Sequence, residues 1–136
     1  MKNAYFFLLA VLSLTSCQKF IEKKQEEAAL AVVTTGQWKV TSFTKGGESK
    51  SALFTSYTFQ FQPNETVDAI KNGMVEKTGS WKVDIAAQSI ISAFSGVTEP
   101  LSLLNGTYRI TNSSTTTVDA SQTVNGEVWT LHMDKQ

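Results

Sequence analysis

Tyr57-Thr58-Phe59-Gln60-Phe61 alternates aromatic and polar side chains without a break. Successive side chains of an extended chain point to opposite faces, so this run buries three rings on one face and wets the other. Trp129-Thr130-Leu131-His132-Met133-Asp134 repeats the period of two near the C-terminus. Turn chemistry separates such runs. Asn72-Gly73 and Asn125-Gly126 tolerate the positive φ that both central residues of a type I′ hairpin require. Gly46-Gly47, Pro63-Asn64, Gly96 through Pro100, and Asn112-Ser113-Ser114 mark further breaks. Counting between breaks predicts about eight strands: 36–45, 54–62, 65–72, 74–83, 88–94, 105–112, 115–121 and 126–134. Short, evenly spaced strands with tight connections predict an all-β barrel or sandwich, and sequential hairpins favour an antiparallel up-and-down barrel.

A local echo supports the strands. Gly36-Gln37-Trp38-Lys39-Val40, Gly79-Ser80-Trp81-Lys82-Val83 and Gly106-Thr107-Tyr108-Arg109-Ile110 share one order: Gly, any residue, aromatic, cation, β-branched. The aromatic and the β-branched residue share a face and the cation takes the other. The glycine permits a bulge or a close backbone approach.

Sidedness follows from the cost of misplacing charge. The non-aromatic face carries Lys39, Thr41, Thr58, Gln60, Ser80, Lys82, Arg109 and Thr111. An outer-membrane barrel would turn that face to hydrocarbon, at roughly 2–4 kcal/mol for each midplane Lys or Arg. Turned to water, it costs almost nothing. The predicted interior is therefore Trp38, Val40, Tyr57, Phe59, Phe61, Trp81, Val83, Tyr108, Ile110, Trp129 and Leu131.

Ahead of the strands the composition changes. Met1-Lys2-Asn3 carries one charge, and an apolar stretch runs from Ala4 to Leu14, about half the roughly 20 residues of a spanning helix. This reads as a secretory signal over residues 1–16. Leu14-Thr15-Ser16-Cys17 resembles the lipobox of bacterial lipoproteins, which implies cleavage before Cys17 and lipidation of its sulfur. A lipoprotein of that type carries two or three acyl chains, enough for firm anchoring where one is marginal. The residue after Cys17 is Gln18, not the Asp that retains such proteins at the inner membrane, so the resemblance implies the outer membrane, on either face. Residues 17–33 form the lipidated tether. Gln18 to Glu27 is a charged, solvated spacer, and Ala28 to Val33 predicts a short helix closing one end of the domain at 34–136.

The Gly36-Gln37-Trp38 opening strand, the Tyr57–Phe61 strand, Gly79-Ser80-Trp81 and Cys17 together resemble the lipocalin-like domains of small bacterial lipoproteins. In lipocalins the opening Trp stacks on an Arg of the closing strand; here that strand offers His132 and Lys135.

Removing residues 1–16 takes away Lys2 alone and leaves 11 positive and 12 negative side chains, which argues against nucleic acid. Cys17 is the single cysteine, so with it acylated no thiol remains for disulfides, metal or catalysis. His132 is the single histidine, and no Asp/Glu cluster has metal-ligand spacing. No nucleophile elbow or phosphate-cradling loop occurs, so the expectation is a protein without catalytic residues, metal or cofactor. Eight strands enclose a space that side chains fill or that holds one small ligand. Two readings follow. In one, Trp38, Tyr57, Phe59, Trp81, Tyr108 and Trp129 line a pocket for a small hydrophobic ligand. In the other, those aromatics are filled core, and the domain is a structural or interaction module of an envelope assembly. Phe94 and the Ser95–Leu104 segment, apolar around Pro100, are the candidate mouth lid or docking edge.

Overall fold

A computed structural model describes residues 21–136; the expected signal segment 1–16, Cys17 and the first residues of the expected tether lie outside the described residues. The chain forms a helix, α1, over residues 21–34, followed by nine strands. These are β1 (Trp38–Lys45), β2 (Glu48–Ser49), β3 (Tyr57–Phe61), β4 (Thr66–Lys71), β5 (Met74–Asp84), β6 (Ser89–Ala93), β7 (Gly106–Ser113), β8 (Thr117–Val124) and β9 (Glu127–Lys135). All neighbours pair antiparallel, and β1 also pairs with β9. That pairing closes an eight-stranded up-and-down barrel, with the two-residue β2 folded against the end of β1. The predicted hairpins form: Asn72-Gly73 and Asn125-Gly126 both hold two consecutive positive φ angles, the I′ signature.

Inside the barrel lie Trp38, Val40, Tyr57, Phe59, Phe61, Trp81, Tyr108 and Leu131, all buried as the alternation predicts. Val83, Ile110 and Trp129 are half-buried instead, because each sits near a barrel rim where the wall no longer covers it. Phe43 breaks the predicted parity. An extra residue between Val40 and Ser42 bulges β1, so that Phe43 turns inward, 0% exposed, against Phe54 at 5.5 Å between ring centroids. Similar register shifts fall between β4 and β5 at Ala69/Ile70 and between β7 and β8 at Ile110/Asn112. Bulges sharpen local twist and help the sheet close on itself. At Gly79 a Cβ would stand 2.6 Å from the Ala93 carbonyl and 2.7 Å from the Phe94 ring, the close approach the echo motif predicts.

The two barrel ends differ. At the end holding the Asn-Gly turns, two 3-10 helices, Ser51–Phe54 and Leu101–Leu104, fold inward and bury Phe54, Leu101, Leu103 and Leu104. The Tyr108 hydroxyl donates to the Leu103 carbonyl at 2.6 Å, and Asn105 exchanges two hydrogen bonds with the Phe94 backbone. The Ser95–Leu104 segment, read from sequence as a partly exposed lid or docking edge, is therefore a plug. Its leucines are part of the core.

The other end is covered by α1. The helix is longer than the sequence reading, extending back through the charged run to residue 21. Glu, Lys, Gln and Ala are strong helix formers, and Lys24 pairs with Glu27 at 3.5 Å one turn on. Leu30, Val32 and Val33 pack against the core, so the end of the predicted tether belongs to the folded unit.

Candidate functional site

The C-terminal turn of α1 is stapled to the barrel. The Trp38 indole Nε1 donates to the Val33 carbonyl at 3.0 Å, and Lys135 Nζ donates to the Val32 carbonyl at 2.7 Å. These are carbonyls that a helix end leaves without intrahelical partners, and a cation there also complements the helix dipole. Lys135 Nζ lies 5.1 Å from the Trp38 ring centroid, so the lysine of the closing strand sets its cation over the ring of the opening strand. Gly36, at φ +77°, turns the chain from α1 into β1, and its carbonyl accepts from Gln60 Nε2.

Between α1 and the barrel end lies a cavity of about 530 Å³. Its roof is one helical stripe, Gln25, Ala28, Ala29, Val32 and Val33, at the spacing of a single helix face. The small Ala28 and Ala29 leave the space beneath them unfilled. Trp38, Phe61, Trp81, Ile90, Leu131 and Met133 form the apolar interior. The rim is polar, with Asp84, Gln88, Asn112, Ser113 and Ser114 from the β5–β6 and β7–β8 ends. Trp81 is held in place by its Nε1, which donates to the Gln62 carbonyl at 3.0 Å, and by an edge-on contact with Phe61 at 5.3 Å. The volume falls within the roughly 300–1,000 Å³ range of small-molecule pockets. Deeper in the barrel, a void of only about 30 Å³ remains among Phe59, Phe94, Leu104 and Tyr108, comparable to the space of one water. The mouth cavity therefore does not continue down the barrel axis.

The six aromatics singled out from the sequence separate into three groups. Trp38 and Trp81 line the mouth cavity. Phe59 and Tyr108 lie around the small central void. Tyr57 and Trp129 are at the plugged end. Tyr57 bonds the Glu76 carboxylate, and burial together with that carboxylate pushes its hydroxyl pKa up to about 12. Trp129 meets Phe43 edge-on at 6.4 Å, with Lys45 Nζ 5.2 Å from its ring. The roof residues Ala28, Ala29, Val32 and Val33 and the floor residue Met133 were not singled out as site residues. The helical period from Gln25 to Val33 is the signal that marks the roof.

On the outer wall, His132 Nδ1 lies 2.5 Å from Asp119 Oδ1 and its Nε2 lies 3.2 Å from Asp134 Oδ1. The Asp119 hydrogen bond leads in holding the imidazolium above its ordinary range, against partial desolvation. The Thr41 hydroxyl, donating to Asp134 Oδ2 at 2.6 Å, is the main reason the Asp134 carboxyl sits below its usual value. Among the described residues, no group of three or more His, Cys, Asp or Glu side chains is placed to hold a metal ion.

No protein-family model matches the chain, and no curated protein matches it. Among solved structures it is similar to a DUF4847 family protein from Bacteroides vulgatus, with a TM-score of 0.56 and 14% sequence identity. The match covers 79% of this chain and 99% of that one. At this identity the likeness establishes the fold alone.

Proposed function

We propose that this chain is a lipid-anchored, lipocalin-like protein of the bacterial outer membrane that binds a small hydrophobic ligand at its helix-capped mouth and catalyses nothing. The observation that carries the binding reading is the cavity itself, apolar inside, roofed by alanines and lying at the end opposite the plug. The lipobox-like Leu14–Cys17 run supports the anchor. Ile21, where the described helix starts, stands four residues after Cys17, a reach of at most about 14 Å. That short link sets the helix-capped end toward the bilayer and the plugged end away from it.

The test uses Ala29→Phe, which places a ring in the cavity from the roof. An uncharged fluorescent probe, N-phenyl-1-naphthylamine, is expected to bind the parent protein and quench its Trp emission. Ala29→Phe should abolish that quenching while the thermal midpoint holds or rises. Absence of binding to the parent, or equal binding to the variant, refutes the reading. For the anchor, Cys17→Ala should release the protein from membrane pellets, and continued pelleting would refute it. The second reading, a non-catalytic structural or interaction module, draws on the filled barrel centre and on Met74 and Val75, which are 76% and 58% exposed at the β4–β5 hairpin. Failure of probe binding leaves that reading in place.

A further inference from the structure

We infer that the mouth cavity takes a single-chain amphiphile with an uncharged, hydrogen-bonding head, and discriminates against the fatty-acid anion of the same chain; this rests on the binding reading above. The inference comes from the charge of the lining. Among the described residues around the cavity there is no Lys, Arg or His, and Asp84 is the one formal charge. A carboxylate or phosphate head at the rim faces a like charge, and the Lys135 ammonium, outside the lining, is already bonded to the Val32 carbonyl. The rim is nonetheless rich in neutral hydrogen-bonding groups. Among the described residues, the side chains of Gln25, Gln88, Asn112 and Ser113 have no hydrogen-bond partner within the chain, and all four are exposed at the opening. The interior beneath them is apolar and ends at Leu131 and Met133, above the packed centre. Depth and polarity together fit a tail seated on the half-buried Val83, Ile90 and Val118, above the buried Trp38 and Trp81, with hydroxyl, ester or amide groups at the rim. Such a head exchanges water for the free amides at little cost, whereas an ion gives up hydration without a partner.

The experiment is competition against N-phenyl-1-naphthylamine in the full chain carrying Cys17→Ala, which removes the covalent lipid. A monoacylglycerol and the fatty acid of the same chain length are compared at pH 8.5, where the acid is ionised. The monoacylglycerol should displace the probe at a concentration at least about tenfold lower. Asp84→Asn should narrow the gap by roughly fourfold, the effect of one unit charge about 5 Å away in water. Gln88→Leu with Asn112→Leu should weaken the monoacylglycerol by about tenfold and leave binding of the headless probe, whose aromatic rings seat below the rim, unchanged. Equal potency of the two amphiphiles, or a tighter anion, overturns the inference while probe binding still upholds the mouth as a ligand site. A parent protein that binds no probe overturns both.

Discussion

Replacing Lys135 with Met tests how α1 is held over the barrel mouth. The ammonium makes two contacts: a 2.7 Å hydrogen bond to the Val32 carbonyl and a position 5.1 Å from the centre of the Trp38 ring. A hydrogen bond from a charged donor contributes about 1.5–3 kcal/mol, and a cation–π contact from about 0.5 kcal/mol where the cation is solvated to about 2 kcal/mol where it is desolvated. Lys135 is half-buried, so the low ends apply and the pair amounts to roughly 2 kcal/mol. Met keeps the packing of the aliphatic stem and removes only the charge and the donor. A detached helix of 14 residues is marginal in water, so undocking exposes its amides to exchange. Hydrogen exchange of the amides at 29–34 should therefore accelerate by about thirtyfold in Lys135→Met, the equivalent of 2 kcal/mol. Amides of β3 should stay unchanged, and Lys135→Arg should stay close to the parent. Unaltered exchange across 29–34 would refute the staple and leave Leu30, Val32 and Val33 as the sole hold.

The bulge in β1 makes a paired prediction: Phe43→Ala should cost about 3–5 kcal/mol in denaturant unfolding, whereas Ser42→Ala, one position away on the wet side, should stay within about 0.5 kcal/mol. Similar costs at the two positions would contradict the observed register. The His132 cluster predicts a pH dependence. Its folded-state pKa is raised above the ordinary 6.5, so its stabilisation is fully present below that value and fades as pH climbs through the folded pKa. With the side chain 34% exposed, the loss should be below about 1 kcal/mol; Asp119→Asn should flatten the thermal midpoint between pH 6 and 9, and an NMR titration of His132 centred at or below 6.5 would count against it.

The alternation of Tyr57–Phe61 and the two Asn-Gly turns were enough to read the hairpins, because side-chain period and turn φ are properties of a few adjacent residues. The aromatic-in, cation-out sense of the echo motif was legible for the same reason, and Trp38, Trp81 and Tyr108 are all buried. Phe43 was not. A bulge is one residue opposing none on the partner strand, and it exists only once β9 lies beside β1. The plug was misread because Leu101-Ser102-Leu103-Leu104 has no strand or long-helix period, and its burial depends on Phe94, Asn105 and Tyr108 folding around it. Of the six aromatics put forward for binding, two border the mouth, since parity along a strand tells which face a ring takes but not how deep along the axis it sits. Local order thus settled the staves of the barrel, their sidedness and their turns. The closed barrel was expected from the succession of hairpins, but the bulged register by which β1 meets β9, the plugged end and the alanine-roofed mouth came only with the tertiary structure, because each joins residues far apart in the chain whose mutual packing no short window contains.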